Sequence, residues 1–168
     1  MRVLAVAHRL TSTRVPQLQL TALLAALPPD LTLMLDLKGP GAVGRHAAHA
    51  VRELLPDRTL LVCSRWWPGV DAFAGLPGAR PVLTARNRAE LLRLRRRVRG
   101  RRVPYGVSLH RSLLEPDVVA ELRERVELVL TWGVDDEAVL QDVLDRGVTG
   151  VISSSPAVLA QVKGLTVP

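Results

Sequence analysis

Short apolar runs rich in β-branched residues alternate with helix-forming segments through most of this chain, and that alternation restricts the fold more than any other feature. Strands are expected at Leu31–Leu37, Thr59–Cys63, Arg80–Thr84, Tyr105–Leu109, Glu127–Thr131 and Thr149–Ile152. Helices are expected between and after them, at Val43–Leu55, Pro68–Leu76, Asn87–Val98, Pro116–Arg125, Asp135–Arg146 and Pro156–Val162. The strand starts fall about 21 to 28 residues apart, the length of a strand, a helix and two short loops. Start signals precede several helices: Glu115 with Pro116, Val134 with Asp135, and Ser155 with Pro156. An earlier strand at Arg2–Ala7 and a helix at Gln17–Leu27 bring the expected strands to seven. A complete (β/α) barrel has eight strands and about 250 residues. The reading is therefore an α/β chain forming an incomplete TIM-type barrel, short of N-terminal strands, with residues 1–168 as one domain. The competitor is an open doubly wound sheet, but no Gly-x-Gly-x-x-Gly follows any strand.

Composition narrows the chemistry. With 168 residues, 48% of them hydrophobic, the chain can bury one sizeable core. No run of about 18 apolar residues and no leader pattern occurs, so a cytoplasmic location without a transmembrane segment is expected. The lone Cys63 can form no internal disulfide and follows an apolar run, which suits core packing. The net charge of +7 points to anionic partners. The cluster Arg93, Arg95, Arg96, Arg97, Arg99, Arg101 and Arg102 raises nucleic acid as one such partner. Aromatic content of 3% leaves few stacking platforms, so nucleic acid is disfavoured and the cluster is expected on solvent, away from the site.

In a barrel, reactive groups gather at the C-terminal ends of the strands. Those ends carry His8 and Arg9, Asp36 and Lys38, Ser64 and Arg65, Ser108 and His110, Thr131 and Trp132, and Ser153 and Ser154. A carboxylate to hold a divalent cation, cations for phosphate and a histidine to move protons suit phosphoester binding and cleavage. Asp36, Lys38, Ser64, His110 and Trp132 are expected around one mouth. Each residue also has a plainer role: Asp36 and Lys38 as a rim ion pair, Trp132 as packing, and His46 and His49 as surface residues of a helix.

Four stretches in order resemble the glycerophosphodiester phosphodiesterases. They are Val15-Pro16-Gln17-Leu18, Leu33-Met34-Leu35-Asp36-Leu37-Lys38, Leu130-Thr131-Trp132-Gly133-Val134-Asp135-Asp136, and Gly147-Val148-Thr149-Gly150-Val151-Ile152-Ser153-Ser154. Their counterparts are the family's Ile-Pro-Thr-Leu, Glu-Ile-Lys, Trp-Thr-Val-Asp-Asp and Gly-Val-Asp-Gly-Ile-Ile-Thr-Asp. The resemblance implies hydrolysis of glycerophosphodiesters to an alcohol and glycerol 3-phosphate, using a divalent cation (calcium or magnesium) and two histidines. It implies Asp36 as a metal ligand, Lys38 as catalytic and phosphate-binding, and Trp132 at the glycerol end of the pocket. Arg65 and His110 join Lys38 and Trp132 as expected substrate contacts. His8 matches either the opening His-Arg-Gly or the second catalytic histidine, and the family order of the later stretches favours the second. Glu-Asn and Glu-x-Asp segments of the family do not occur before Asp36, so the implied metal site is incomplete. The expected partners are a small glycerophosphodiester or an anionic lipid head group, with self-association through exposed sheet edges. The alternatives are a non-catalytic barrel that binds anionic glycerol phosphates, and an inactive fragment.

Overall fold

The computed structural model of the protein describes residues 5–6, 27–28, 31–39 and 41–164. Seven strands form one sheet: β1 (Ala5–Val6), β2 (Leu33–Asp36), β3 (Leu60–Ser64), β4 (Ala79–Ala85), β5 (Gly106–His110), β6 (Leu128–Trp132) and β7 (Gly150–Ile152). Helices follow β2 to β7 in turn: α1 (Gly41–Leu54), α2 (Trp67–Asp71), α3 (Arg88–Val98), α4 (Pro116–Arg123), α5 (Glu137–Asp145) and α6 (Pro156–Gly164). Every pairing is parallel and the strand order is the chain order. A doubly wound sheet reverses its strand order partway, so that competitor is excluded. The fold is an α/β, incomplete TIM-type barrel wall, with six strands of three or more residues and the two-residue β1. Among the described residues β7 pairs only with β6. The expected helix at Gln17–Leu27 lies almost wholly outside the described residues.

Strand alternation sorts the side chains into two layers. Leu83, Ala85, Val107, Leu109, Val129 and Val151 point outward and pack against Leu94, Val118, Leu122 and Val143 of the helices. Leu33, Leu60 and Val62 do the same against Ala48, Val51 and Phe73. Met34, Leu61, Cys63, Val82, Leu128 and Leu130 point the other way and fill the concave side. Buried leucines such as Leu94, Leu109 and Leu122 each contribute about 1.5–3 kcal/mol by leaving water. At the first helix pair no side chain intervenes: a Cβ on Gly44 would lie 2.4 Å from the Cα of Gly69, so α1 and α2 touch through glycine backbone.

Two elements differ from expectation. The helix expected at Pro68–Leu76 stops at Asp71, because turns lead into Gly75, whose φ of +93° lies in the region that glycine favours, and Pro77 follows closely. The helix expected from Asp135 begins two residues later, at Glu137. Asp136 is its N-cap, accepting from the Val139 amide at 2.8 Å, which frees the Asp135 carboxylate for another partner.

Candidate functional site

At the C-terminal ends of the strands the concave layer changes from apolar to polar. Asp36, Cys63, Thr84, Ser108, Trp132 and Ile152 share the inward parity of that layer, and with Lys38 and Arg65 they line a cavity of ≈240 Å³. Register explains the convergence. Asp36 lies opposite Cys63, Thr84 opposite Ser108, and Trp132 between His110 and Ile152.

Lys38 follows Asp36 by two residues, so both project from the same face, and the ammonium donates to the Asp36 carboxylate. Cys63, on the neighbouring strand, has its thiol pushed far up, first by burial and then by the Asp36 charge. It stays protonated and is neither a nucleophile nor a thiolate ligand. Arg65 is held differently. Its guanidinium donates to Glu90 at 2.6 Å, while the other Glu90 oxygen accepts from the Arg86 amide at 2.6 Å. Glu90 sits in the first turn of α3, where the Asn87 side chain accepts from its amide at 2.9 Å. Burial pushes the Glu90 carboxyl up, but Arg65 and the Arg86 amide outweigh it and hold the group below its usual range. Arg65 is thus an oriented cation on a helix cap, which no count of arginines reveals.

Trp132 closes one side of the cavity. Its indole N–H is buried and has no hydrogen-bond partner among the described residues. The His110 ring meets it edge-on, with centroids 4.6 Å apart and planes at 69°. His110 Nδ1 lies 2.7 Å from the Ser112 hydroxyl and accepts from the Ser112 amide at 3.3 Å, within a 3₁₀ turn at Arg111–Leu113. Its imidazole is pushed below its ordinary value by burial, then by the Arg111 and Arg86 charges. At neutral pH it is uncharged. It borders Trp132 without itself lining the cavity.

The other strand-end hydroxyls have structural partners. Ser64, expected at the mouth, is instead buried; it donates to the Leu37 carbonyl at 2.8 Å and accepts from the Trp66 amide at 2.9 Å. Its odd position after Cys63 turns it to the outer face. Thr131 donates to the Leu109 carbonyl at 3.0 Å, for the same reason of parity. Ser153 and Ser154 hydrogen-bond Asp135, with the Ser154 amide at 3.0 Å, and this holds the Asp135 carboxyl below its usual range. His46 and His49 are exposed on α1. His8 lies outside the described residues. Thr84 and Glu90 do not stand out in the sequence; counting inward parity along β4 from Val82 finds Thr84.

The arginine cluster lies at the opposite end of the sheet, in the last turn of α3 and the segment leading to β5. It is only partly a solvated face. Arg95 and Arg99 both pair with Glu121 of α4, and Arg97 pairs with Asp71 of α2 at 2.6 Å, so the cluster joins three helices.

No protein-family model matches the sequence, and no curated protein sequence does either. Solved structures do match in fold. A proposed glycerophosphoryl diester phosphodiesterase of Silicibacter pomeroyi superposes with a TM-score of 0.65 at 18% identity, over 79% of this chain and 50% of that one. An Oleispira antarctica phosphodiesterase, solved with its product sn-glycerol-3-phosphate, gives 0.63 at 20% identity, over 80% and 56%. The chain thus spans about half the length of these two structures. Orotidine monophosphate decarboxylase of Leishmania donovani gives 0.54 at 15% identity, over 84% and 70%. Likeness at these identities establishes the barrel fold. The appearance of a decarboxylase beside phosphodiesterases means that the reaction has to be argued from the site.

Proposed function

We propose that the chain is a phosphoric diester hydrolase of the glycerophosphodiester class, and that its described residues form the part of the site that binds phosphate and glycerol. The observation that carries this reading is the convergence of Asp36, Lys38, Arg65 and Trp132 on one small cavity at the strand C-terminal ends. Lys38 and Arg65 bring positive charge to the non-bridging oxygens. The unpartnered Trp132 indole N–H offers a donor beside an apolar ring face, which suits a glycerol backbone carrying hydroxyls. His110 keeps the Trp132 ring in place and offers a neutral imidazole next to it. The sn-glycerol-3-phosphate bound by the Oleispira antarctica relative supports a ligand of this chemistry.

A divalent cation, calcium or magnesium, is implied by the resemblance, and the described donor set does not fit one. Among the described residues Asp36 is the sole carboxylate lining the cavity, it already accepts from Lys38, and Cys63 is protonated. No group of three or more His, Cys, Asp or Glu side chains converges among the described residues. Hard cations favour six or more oxygen ligands.

Two measurements test the reading. Calorimetric titration with sn-glycerol 3-phosphate is expected to show saturable binding that inorganic phosphate competes away; no binding would overturn the proposed site. Turnover of glycerophosphocholine is expected to be slow. Lack of one positioned acid or base typically costs ~10²–10⁴-fold, and an incomplete metal site adds to that. Turnover at an ordinary enzymatic rate that a chelator abolishes would overturn the account of Asp36 as an isolated carboxylate.

A further inference from the structure

The βα connection that carries Arg65 enters α2 through two consecutive tryptophans with opposite fates, Trp66 as the cap and Trp67 as the first helical residue. Trp67 is partly buried, packs against the outer core and donates its indole N–H to the Thr84 carbonyl at 3.1 Å. Trp66 is 53% exposed. Its backbone is nonetheless fixed: the amide donates to Ser64 Oγ at 2.9 Å and the carbonyl accepts from the Gly69 amide at 2.9 Å, at the N-terminus of α2. A rigid turn therefore presents a large amphipathic ring to solvent beside the mouth. Val43, 40% exposed in the first turn of α1, lies next to the glycine through which α1 meets α2, so the adjacent βα unit adds a second apolar residue at this end.

Cations stand on this connection and on its neighbours at the same end of the sheet. Lys38, Arg65 and Arg88 have side chains 60%, 47% and 91% exposed, and in each pair the carboxylate partner, Asp36, Glu90 or Glu115, is the less exposed member. Arg86, after β4, and Arg111, after β5, are exposed at the same end of the sheet. On the loops after β2, β3 and β4 and the helix turn that follows, the cations Lys38, Arg65, Arg86 and Arg88 thus outnumber the carboxylates Asp36 and Glu90. Indole rings settle at the boundary between lipid head groups and water, and cations close to a surface are drawn to anionic lipid.

We propose that this rim, with Trp66 on it, docks on an anionic phospholipid bilayer, and that the phosphodiester entering the mouth is a lipid head group. The inference on the substrate rests on the function proposed above; the docking surface stands on its own observations. Cavity size supports the pairing. At ≈240 Å³ the mouth is smaller than the ~300–1,000 Å³ pockets that enclose drug-sized ligands, so it can take a head group while the acyl chains stay in the membrane. A nucleic acid or an acidic protein would meet the same cations but has less use for a fixed, isolated indole next to a cavity of this size.

The test is vesicle co-sedimentation of the full chain with phosphatidylcholine alone and with phosphatidylcholine containing phosphatidylglycerol, together with tryptophan quenching by brominated acyl chains. At least tenfold tighter binding to the anionic vesicles is expected, weakening with salt, with quenching that Trp66→Phe reduces sharply. Trp66→Ala is expected to lose about tenfold in vesicle binding while melting like the parent. Retained quenching in Trp66→Phe, unchanged binding by Trp66→Ala, or binding to single-stranded RNA but not to anionic vesicles would each overturn the proposal. Binding of sn-glycerol 3-phosphate without vesicle binding would sink the docking surface alone. Vesicle binding without sn-glycerol 3-phosphate binding would sink the function and leave the surface.

Discussion

The N-terminal ends of β4 to β7 border a cavity of ≈610 Å³ that includes Arg80, Arg123 and Arg125, whereas the cavity at the C-terminal ends is ≈240 Å³ and includes Lys38 and Arg65. Size and basic charge would both choose the first. The direction of the helices reverses that choice. Each helix runs back from the mouth, so its positive N-terminal end lies at the end of the sheet that holds the small cavity and its negative C-terminal end at the other. Arginines at the lower end answer those C-termini: Arg52 ends α1, Arg95 to Arg97 end α3, and Arg123 ends α4 and donates to the Gly147 carbonyl at 3.3 Å. Arg80 stacks over Tyr105, with its guanidinium 5.3 Å from the ring centre. Positive charge at that end is bound to the protein itself. At the mouth Lys38 and Arg65 are paired as well, with Asp36 and Glu90, but they line the cavity at the end where the helix N-termini lie, so an anion there meets both.

The sharpest separation of the two ends is by stability. Leu122, fully buried near the end of α4, belongs to the outer core at the lower end. Leu122→Ala is expected to cost about 2–5 kcal/mol in denaturant unfolding. Measured where the variant remains folded, its affinity for sn-glycerol 3-phosphate is expected to match the parent. A variant that keeps its stability would break the view that this end is built for packing.

The next largest effect separates the ends by ligand affinity. A charge-assisted hydrogen bond is worth about 1.5–3 kcal/mol, so Lys38→Ala is expected to weaken sn-glycerol 3-phosphate roughly 10- to 100-fold by calorimetry. Its melting temperature should change little, because the Lys38 side chain is 60% exposed and surface ion pairs contribute about 0–1 kcal/mol. Arg80→Ala is expected to leave the affinity as it was. Equal losses in the two variants would mean that both ends bind the ligand.

Much of this organisation is legible in the residue order, and the parts that are not share a cause. β-branched runs and their spacing reveal six of the strands to within two residues at either end, because the buried side chains of a parallel sheet leave little polar interruption to mislead. Asp36 and Lys38 are legible as mouth residues from alternation alone. Ser64 fails because position at a strand end says nothing of parity, and the residue sits one step out of phase with Asp36 and Cys63. Asp135 reads as a helix start, but either of two adjacent aspartates could cap, and only the return of the chain at Ser153 and Ser154 decides between them. The clamp of Arg95 and Arg99 on Glu121 likewise joins residues more than twenty positions apart, so charge clustering in sequence suggests a solvated face where the fold makes an ion-pair network. His8 lies outside the described residues, and its role is a proposal that rests on the resemblance.

The smallest expected effect concerns proton binding at the mouth. Burial, with Arg111 and Arg86, lowers the His110 imidazole below its ordinary value of about 6.5, so the folded protein binds that proton less readily than the unfolded chain. By linkage, stability is then full above about pH 6.5 and declines as pH falls from there through the lowered value. Glu90, Glu121 and Asp135 are shifted down from the carboxylate range, so their own losses begin at lower pH and leave the interval from about pH 8 to 5 to the histidines. The remaining histidines cancel when His110→Gln is compared with the parent. Melting temperatures across that interval should fall more for the parent than for the variant, whose amide can still accept from Ser112. Saturating sn-glycerol 3-phosphate should reduce the parent's slope, because a phosphate in the small cavity favours protonation of the imidazole that borders it through Trp132, 4.6 Å from ring to ring. Arg80→Ala at the far end should leave the slope untouched. A slope that ignores the ligand would mean that sn-glycerol 3-phosphate does not occupy the cavity that Trp132 lines, and would separate the cavity from the function proposed for it.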